Sequence, residues 1–171
     1  MPIADDLALI ARQEATLQLT RFDEETAWRI GSRLREIAAA RQLGIVIEVR
    51  RFGQPLFYCA LAGSSPDNAE WARRKANTVA RFHRSSYAVG LELEQKNTTL
   101  LEKFGLTLAE YAAHGGSFPL SVSGAGVIGS VTVSGLPQRE DHQLVVEALC
   151  FETGQDFDKL STPSVTPMRS P

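Results

Sequence analysis

The sequence predicts an α/β fold in which helices cover both faces of one antiparallel sheet. Three observations carry this. Two pairs of apolar, partly β-branched segments, 45–50 with 56–61 and 119–122 with 127–133, are each joined by a short glycine-containing turn. Such pairs are hairpins, and hairpin strands are antiparallel. Amphipathic stretches stand before, between and after the hairpins, so helices are available for both faces of a shared sheet. A hydrophobic share of 43% in 171 residues is enough to bury a substantial core.

Taken in order, Asp5 to Arg21 reads as a helix, with Leu7, Ile10, Ala11, Leu17 and Leu19 on one face. A second helix begins at Asp23, whose carboxylate can cap it. Glu24 and Glu25 suit its positive end, and Ala27, Ile30, Gly31, Leu34, Ile37 and Ala38 recur at helical spacing up to the stop at Gly44. Ile45–Arg50 and Leu56–Leu61 are strands around the turn Phe52-Gly-Gln-Pro55; the second is apolar on both faces, as a central strand would be. A helix from Pro66 to His83 places Trp71, Thr78, Val79 and Phe82 on the side of the Lys75 stem. Tyr87–Glu94 alternates Val89, Leu91 and Leu93 with Gly90, Glu92 and Glu94 and is expected as a strand, a short helix being the alternative. Thr107-x-x-Glu110 is a capping box that opens a short helix through Tyr111, ended by Gly115-Gly116. The second hairpin turns at Ser123-Gly-Ala-Gly126. Gly129 inside its second strand marks a bulge or a close approach by another backbone or ligand. Gln138–Glu152 is the last helix. The expected organisation is one domain over 1–154 and a flexible tail over 155–171, where Ser161-Thr-Pro-Ser-Val-Thr-Pro has no periodicity.

A net charge of −2 supplies no long-range attraction for nucleic acid or an anionic membrane. The N-terminus carries Asp5 and Asp6 where a secretory signal carries basic residues, and no apolar run spans a bilayer. Cys59 and Cys150 read as buried free thiols of a reducing compartment, and the expected location is the cytoplasm. Metal-ligand spacings such as C-x-x-C do not occur.

Chemistry concentrates at the strand–turn–helix run Ser130 to His142, because such a corner presents unpaired backbone N–H groups and here gathers Arg139, Glu140, Asp141 and His142. Arg139 can pair with a carboxylate or phosphate, or locally with Glu140 or Asp141. Lys75 lies one helical turn after Trp71. It either stacks on the indole or, if buried, shifts its pKa and takes a chemical role. The three histidines, His83, His114 and His142, stand in three segments; each is a capping or surface residue, or a single axial ligand for a haem-like iron.

Ala72-Arg-Arg-Lys75-Ala-Asn-Thr78 resembles the A-x-x-K-A-x-T signature of the haem-degrading-domain superfamily, as do His114-Gly-Gly-Ser-Phe-Pro119 and Gly129-Ser-Val-Thr-Val-Ser-Gly135. That superfamily includes GlcG and the C-terminal domain of PduO-type cobalamin adenosyltransferases. Gly135-Leu-Pro-Gln-Arg-Glu-Asp-His142, with Trp71-x-x-Arg-Lys75, resembles a narrower cytoplasmic branch in bacteria and fungi. The resemblance covers about Asp23 to Gly154. It implies a profilin-like α/β/α three-layer sandwich, assembly into homo-oligomers, and haem as the ligand. One His would meet the iron, while Arg139 or Lys75 would hold the propionates. The preference runs His114, then His142, then His83, since the Gly-Gly after His114 admits a flat ligand. Superfamily members often carry an acidic residue where this chain has His142, so the ligand does not transfer as a fixed position. Two further readings are an oligomeric adaptor that docks a protein partner, and an enzyme that binds a small acid or nucleotide at the Arg139 corner. All of them require the corner at Arg139 and the bend after His114 to enclose one pocket.

Overall fold

The computed structural model describes residues 2–162. Among them five strands form one sheet in the order β1-β4-β5-β2-β3: β1 Gln18–Leu19, β2 Val46–Arg51, β3 Gln54–Ala60, β4 Ser117–Val122 and β5 Gly126–Ser134. β2 with β3, β2 with β5, and β4 with β5 are antiparallel; the two-residue β1 joins β4 in parallel. The hairpins thus meet through β2 and β5, so β3 is an edge strand where a central one was expected. Pro55 suits an edge, since it has no N–H for a ladder.

Strand alternation gives the sheet two faces of different chemistry. Ile47, Val49, Phe57, Phe118, Leu120, Val131 and Val133 point to one side. There they form the main core with α2 (Glu24–Ala40) and α6 (Gln138–Thr153). The alternate residues Glu48, Ser130, Thr132, Ser134 and Ser117 are also buried, yet they are polar. α3 (Pro66–Phe82) covers this second face with Ala72, Lys75, Ala76, Thr78 and Val79. Small and polar groups on both sides let α3 lie close to the sheet, where they hydrogen-bond: Ser117 Oγ and Thr132 Oγ1 are 2.7 Å apart. The result is the three-layer α/β/α sandwich. Gly129 is the predicted close approach, for a Cβ there would collide with the Arg50 carbonyl of β2.

Four elements differ from the sequence reading. The first helix, α1 (Ile3–Thr16), stops early because Leu17 and Leu19 bury into the main core as the chain pairs with β4. Ser86–Gln95 is a helix, α4, not a strand, and Ser85 caps it by accepting the Ala88 N–H at 3.2 Å. The alternating residues are buried on two helical faces: Tyr87 and Leu91 pack with Ile10, Val89 and Leu93 with Leu100. Each pair is four apart, which a period of two also satisfies. No helix opens at Thr107. The carbonyls of Leu108, Ala109, Glu110 and Ala112 are instead taken by Arg74, Arg73, Asn77 and Thr78 of α3. The helix in this region is α5 (Leu100–Phe104), capped by Thr99 at Glu102 N. Beyond Gly154, where the flexible tail was expected to begin, α7 (Phe157–Leu160) buries Leu160, and Gln13 and Arg12 of α1 donate to the Leu160 and Lys159 carbonyls. Residues 163–171, most of that expected tail, lie outside the described residues. No helix among those described is long and apolar enough to cross a membrane.

Candidate functional site

α3 and the N-terminus of α6 flank one end of β5, and the bend at Gly115-Gly116 closes the gap between them. A cleft of about 230 Å³ opens there. Asn68, Trp71 and Lys75 line it from α3, His114 from the bend, Ser134 to Leu136 from the strand end, and Gln138 and Asp141 from α6. The bend is held from both sides. Gly115 N donates to Gln138 Oε1 at 3.1 Å, and Val133 N donates to the Gly116 carbonyl at 2.8 Å. Gly116 has φ +130°, and any Cβ on it would press on Val133 O, Lys75 Nζ and Asp141 Cβ, so only glycine lets the bend sit this low.

The floor is an ion pair. Lys75 Nζ donates to Asp141 Oδ2 at 2.8 Å and to the Val133 carbonyl at 3.3 Å, with side chains only 4% and 1% exposed. Asp141 also accepts Leu136 N at 2.9 Å and Gly135 N at 3.4 Å, so one carboxylate ties α3, the turn and α6 together. Burial pushes the Lys75 ammonium down and the Asp141 carboxyl up, and their mutual attraction opposes both shifts. A local pairing with Arg139 was open to Asp141; its partner is Lys75. The lysine does not stack on Trp71 either, since Arg74 takes that place, 4.2 Å above the ring.

His114 stands exposed at the rim, edge-on to Trp71 with ring centroids 5.1 Å apart. Partial burial, then the charges of Lys75 and Arg74, hold its pKa below the usual histidine value. The neutral ring keeps a lone pair for a metal. His142 lies elsewhere, in the core between Tyr87 and Phe118, with Nε2 2.8 Å from Gln13 Oε1. Gln13 Nε2 donates to the Leu160 carbonyl at 2.6 Å, which leaves its oxygen for His142 and sets the proton on the histidine Nε2. Burial, helped by Arg139, lowers the His142 pKa to about 3. His83 is the left-handed C-cap of α3 beside Phe52, two turns beyond Lys75. Arg139 turns from the cleft to α1, where it donates to Asp6 Oδ1 at 2.6 Å. The corner and the bend therefore do enclose a cleft, which brings together His114 and Lys75 but not His83, His142 or Arg139. Asn68, Gln138 and Ser134 were not singled out from the sequence; nothing local distinguishes them from ordinary cap and strand residues.

These features define a three-layer α/β/α protein whose cleft lies at the strand–turn–helix corner. The chain belongs to the family described as haem degrading protein HbpS-like, whose model matches residues 22–150. A UPF0303 protein of Paraburkholderia phymatum is 62% identical over 161 residues, 94% of this chain and 98% of that protein. Another from Acidobacterium capsulatum is 60% identical over 163 residues, covering 95% and 99%. Among solved structures, the Ybr137w protein superposes with a TM-score of 0.80 at 28% identity, over 87% of this chain and 90% of that one. HbpS gives 0.60 at 24%, covering 78% and 91%. A PduOC complex with haem gives 0.66 at 16%, covering 75% and 93%. The last two share the fold.

Proposed function

We propose that this is a cytoplasmic, homo-oligomeric haem-binding protein in which His114 ligates the iron at the mouth of the cleft. The observation that carries the reading is an exposed, neutral imidazole beside the flat indole of Trp71, at the rim of a cleft whose floor holds a cation. One histidine is a sufficient axial ligand, and the bound group would supply the iron chemistry. The fit has a limit set by volume. Ligand pockets span roughly 300–1,000 Å³, so a cleft of about 230 Å³ would take only part of a tetrapyrrole, with Lys75, Asn68 and Gln138 lining that part and His114 at the rim. Relatedness to a protein solved with haem supports the same reading. The open edge of β3 supports assembly: exposed Tyr58 (54%) lies on it and exposed Trp28 (62%) stands edge-on to its Phe57.

The test is hemin titration followed at the Soret band, with light scattering on the same samples for mass. A Soret shift in the wild type that is lost in His114→Ala and retained in His83→Ala is the expected result. An identical spectrum for His114→Ala removes the ligand, and no hemin binding removes the reading.

A further inference from the structure

We infer that the cleft is a carboxylate-binding site, built to receive either a small free organic acid or the propionate arm of a tetrapyrrole; only the second source rests on the haem reading.

The argument is an inventory of donors and acceptors. Asn68 Oδ1 accepts the Ser65 N–H at 2.8 Å, and Gln138 Oε1 accepts the Gly115 N–H at 3.1 Å. A backbone N–H can only donate, so both amide oxygens are committed and both orientations are determined. The NH₂ ends of these two residues have no partner among the described residues. Lys75 carries three N–H groups, of which Asp141 and the Val133 carbonyl take two. His114 adds a ring N–H at the rim. The acceptor in the lining is occupied, Asp141 by Lys75, Gly135 and Leu136; Asp67, outside the lining, accepts the Trp71 indole N–H at 3.1 Å on one oxygen. The lining therefore offers donors to a ligand and few acceptors, which selects an acceptor-rich group.

Charge narrows the class. The Lys75 cation is already balanced by Asp141, and the Arg74 guanidinium and the Asp67 carboxylate, both held against Trp71, offset each other beside the cleft. A site with no surplus cation suits a monoanionic carboxylate better than a doubly charged phosphate, whose second charge would lack a partner in a confined site. The volume of about 230 Å³ agrees with an acid of a few carbons.

The experiment uses the full chain and isosteric variants. Asn68→Asp and Gln138→Glu keep the oxygens that hold Ser65 and Gly115 and replace only the NH₂ group with a second carboxylate oxygen. Both positions lie in the first turn of a helix, where an acid is tolerated. Calorimetric titration compares acetate, propionate and butyrate with acetamide, propionamide, butyramide and inorganic phosphate, while hemin is compared with its dimethyl ester. The free-acid source is supported when one carboxylate binds more tightly than its amide and weakens at least tenfold in both variants. The propionate source is supported when hemin exceeds its dimethyl ester tenfold and the variants erase that margin. Acids that bind no better than amides, together with equal binding of hemin and its ester, overturn the inference even where haem itself binds. Tighter binding of phosphate than of every carboxylate overturns it as well. Carboxylate binding without hemin binding upholds it and removes the haem reading instead.

Discussion

The core histidine makes acid stability the sharpest test of this structure. His142 titrates at about 3 when folded, against 6.5 ordinarily, because the native core refuses the proton. Below pH 6.5 the unfolded chain takes up a proton that the folded one does not. This residue's share of stability is therefore complete above pH 6.5 and is lost progressively down to about pH 3, at about 1.4 kcal/mol per pH unit. At pH 5, one and a half units below the ordinary value, the loss is about 2 kcal/mol, a large fraction of the roughly 5–15 kcal/mol that holds a folded protein. The perturbation is His142→Gln, whose amide can still donate to Gln13 Oε1 but does not titrate. Urea unfolding at half-unit steps from pH 7.5 to 4.5 supplies the stabilities. The baseline of the variant is expected to shift, while the wild-type curve falls more steeply below pH 6.5 by close to one proton. Taking the difference between the two removes the other titrating groups, Asp141 and His114 included. Parallel curves would show that the ring is protonated in the native state and that the buried, neutral assignment is wrong.

Two more expectations follow from packing. Asp141→Asn strands the Lys75 ammonium beneath the cleft and should cost about 3–5 kcal/mol. Lys75→Met should cost less, since Asp141 keeps the N–H groups of Leu136 and Gly135; chemical denaturation of both variants checks the order. Gly129→Ala drives a methyl group into the Arg50 carbonyl where β5 joins β2, so a loss of about 3 kcal/mol is expected, with the amides of Val131 and Val49 exchanging faster in hydrogen exchange.

Much of the fold was legible because one-sided burial leaves a short-range signature. Both hairpins, α2, α3 and α6 show it, and Lys75 falls on α3 where it was expected. The reading of 87–94 failed for a physical reason: Val89, Leu91 and Leu93 fit a period of two and a helix buried on two sides equally well, and only α1 and α5 decide between them. The capping box expected at Thr107 opens a turn and no helix. Side chains of α3 take up the carbonyls that its helix would have used.

The sequence by itself determined the frame: the two hairpins, the long helices α2, α3 and α6, and an ionisable cluster at the corner after β5. Only the tertiary structure decided where each member of that cluster goes. Asp141 meets Lys75 across 66 positions, His142 meets Gln13 across 129, and Arg139 meets Asp6 across 133. Helix and strand periodicity record which side of an element is buried, over a few residues. They hold no record of which distant side chain waits there, and in a dry interior that partner decides whether a charged group becomes a pocket floor, a core histidine or an anchor for another helix.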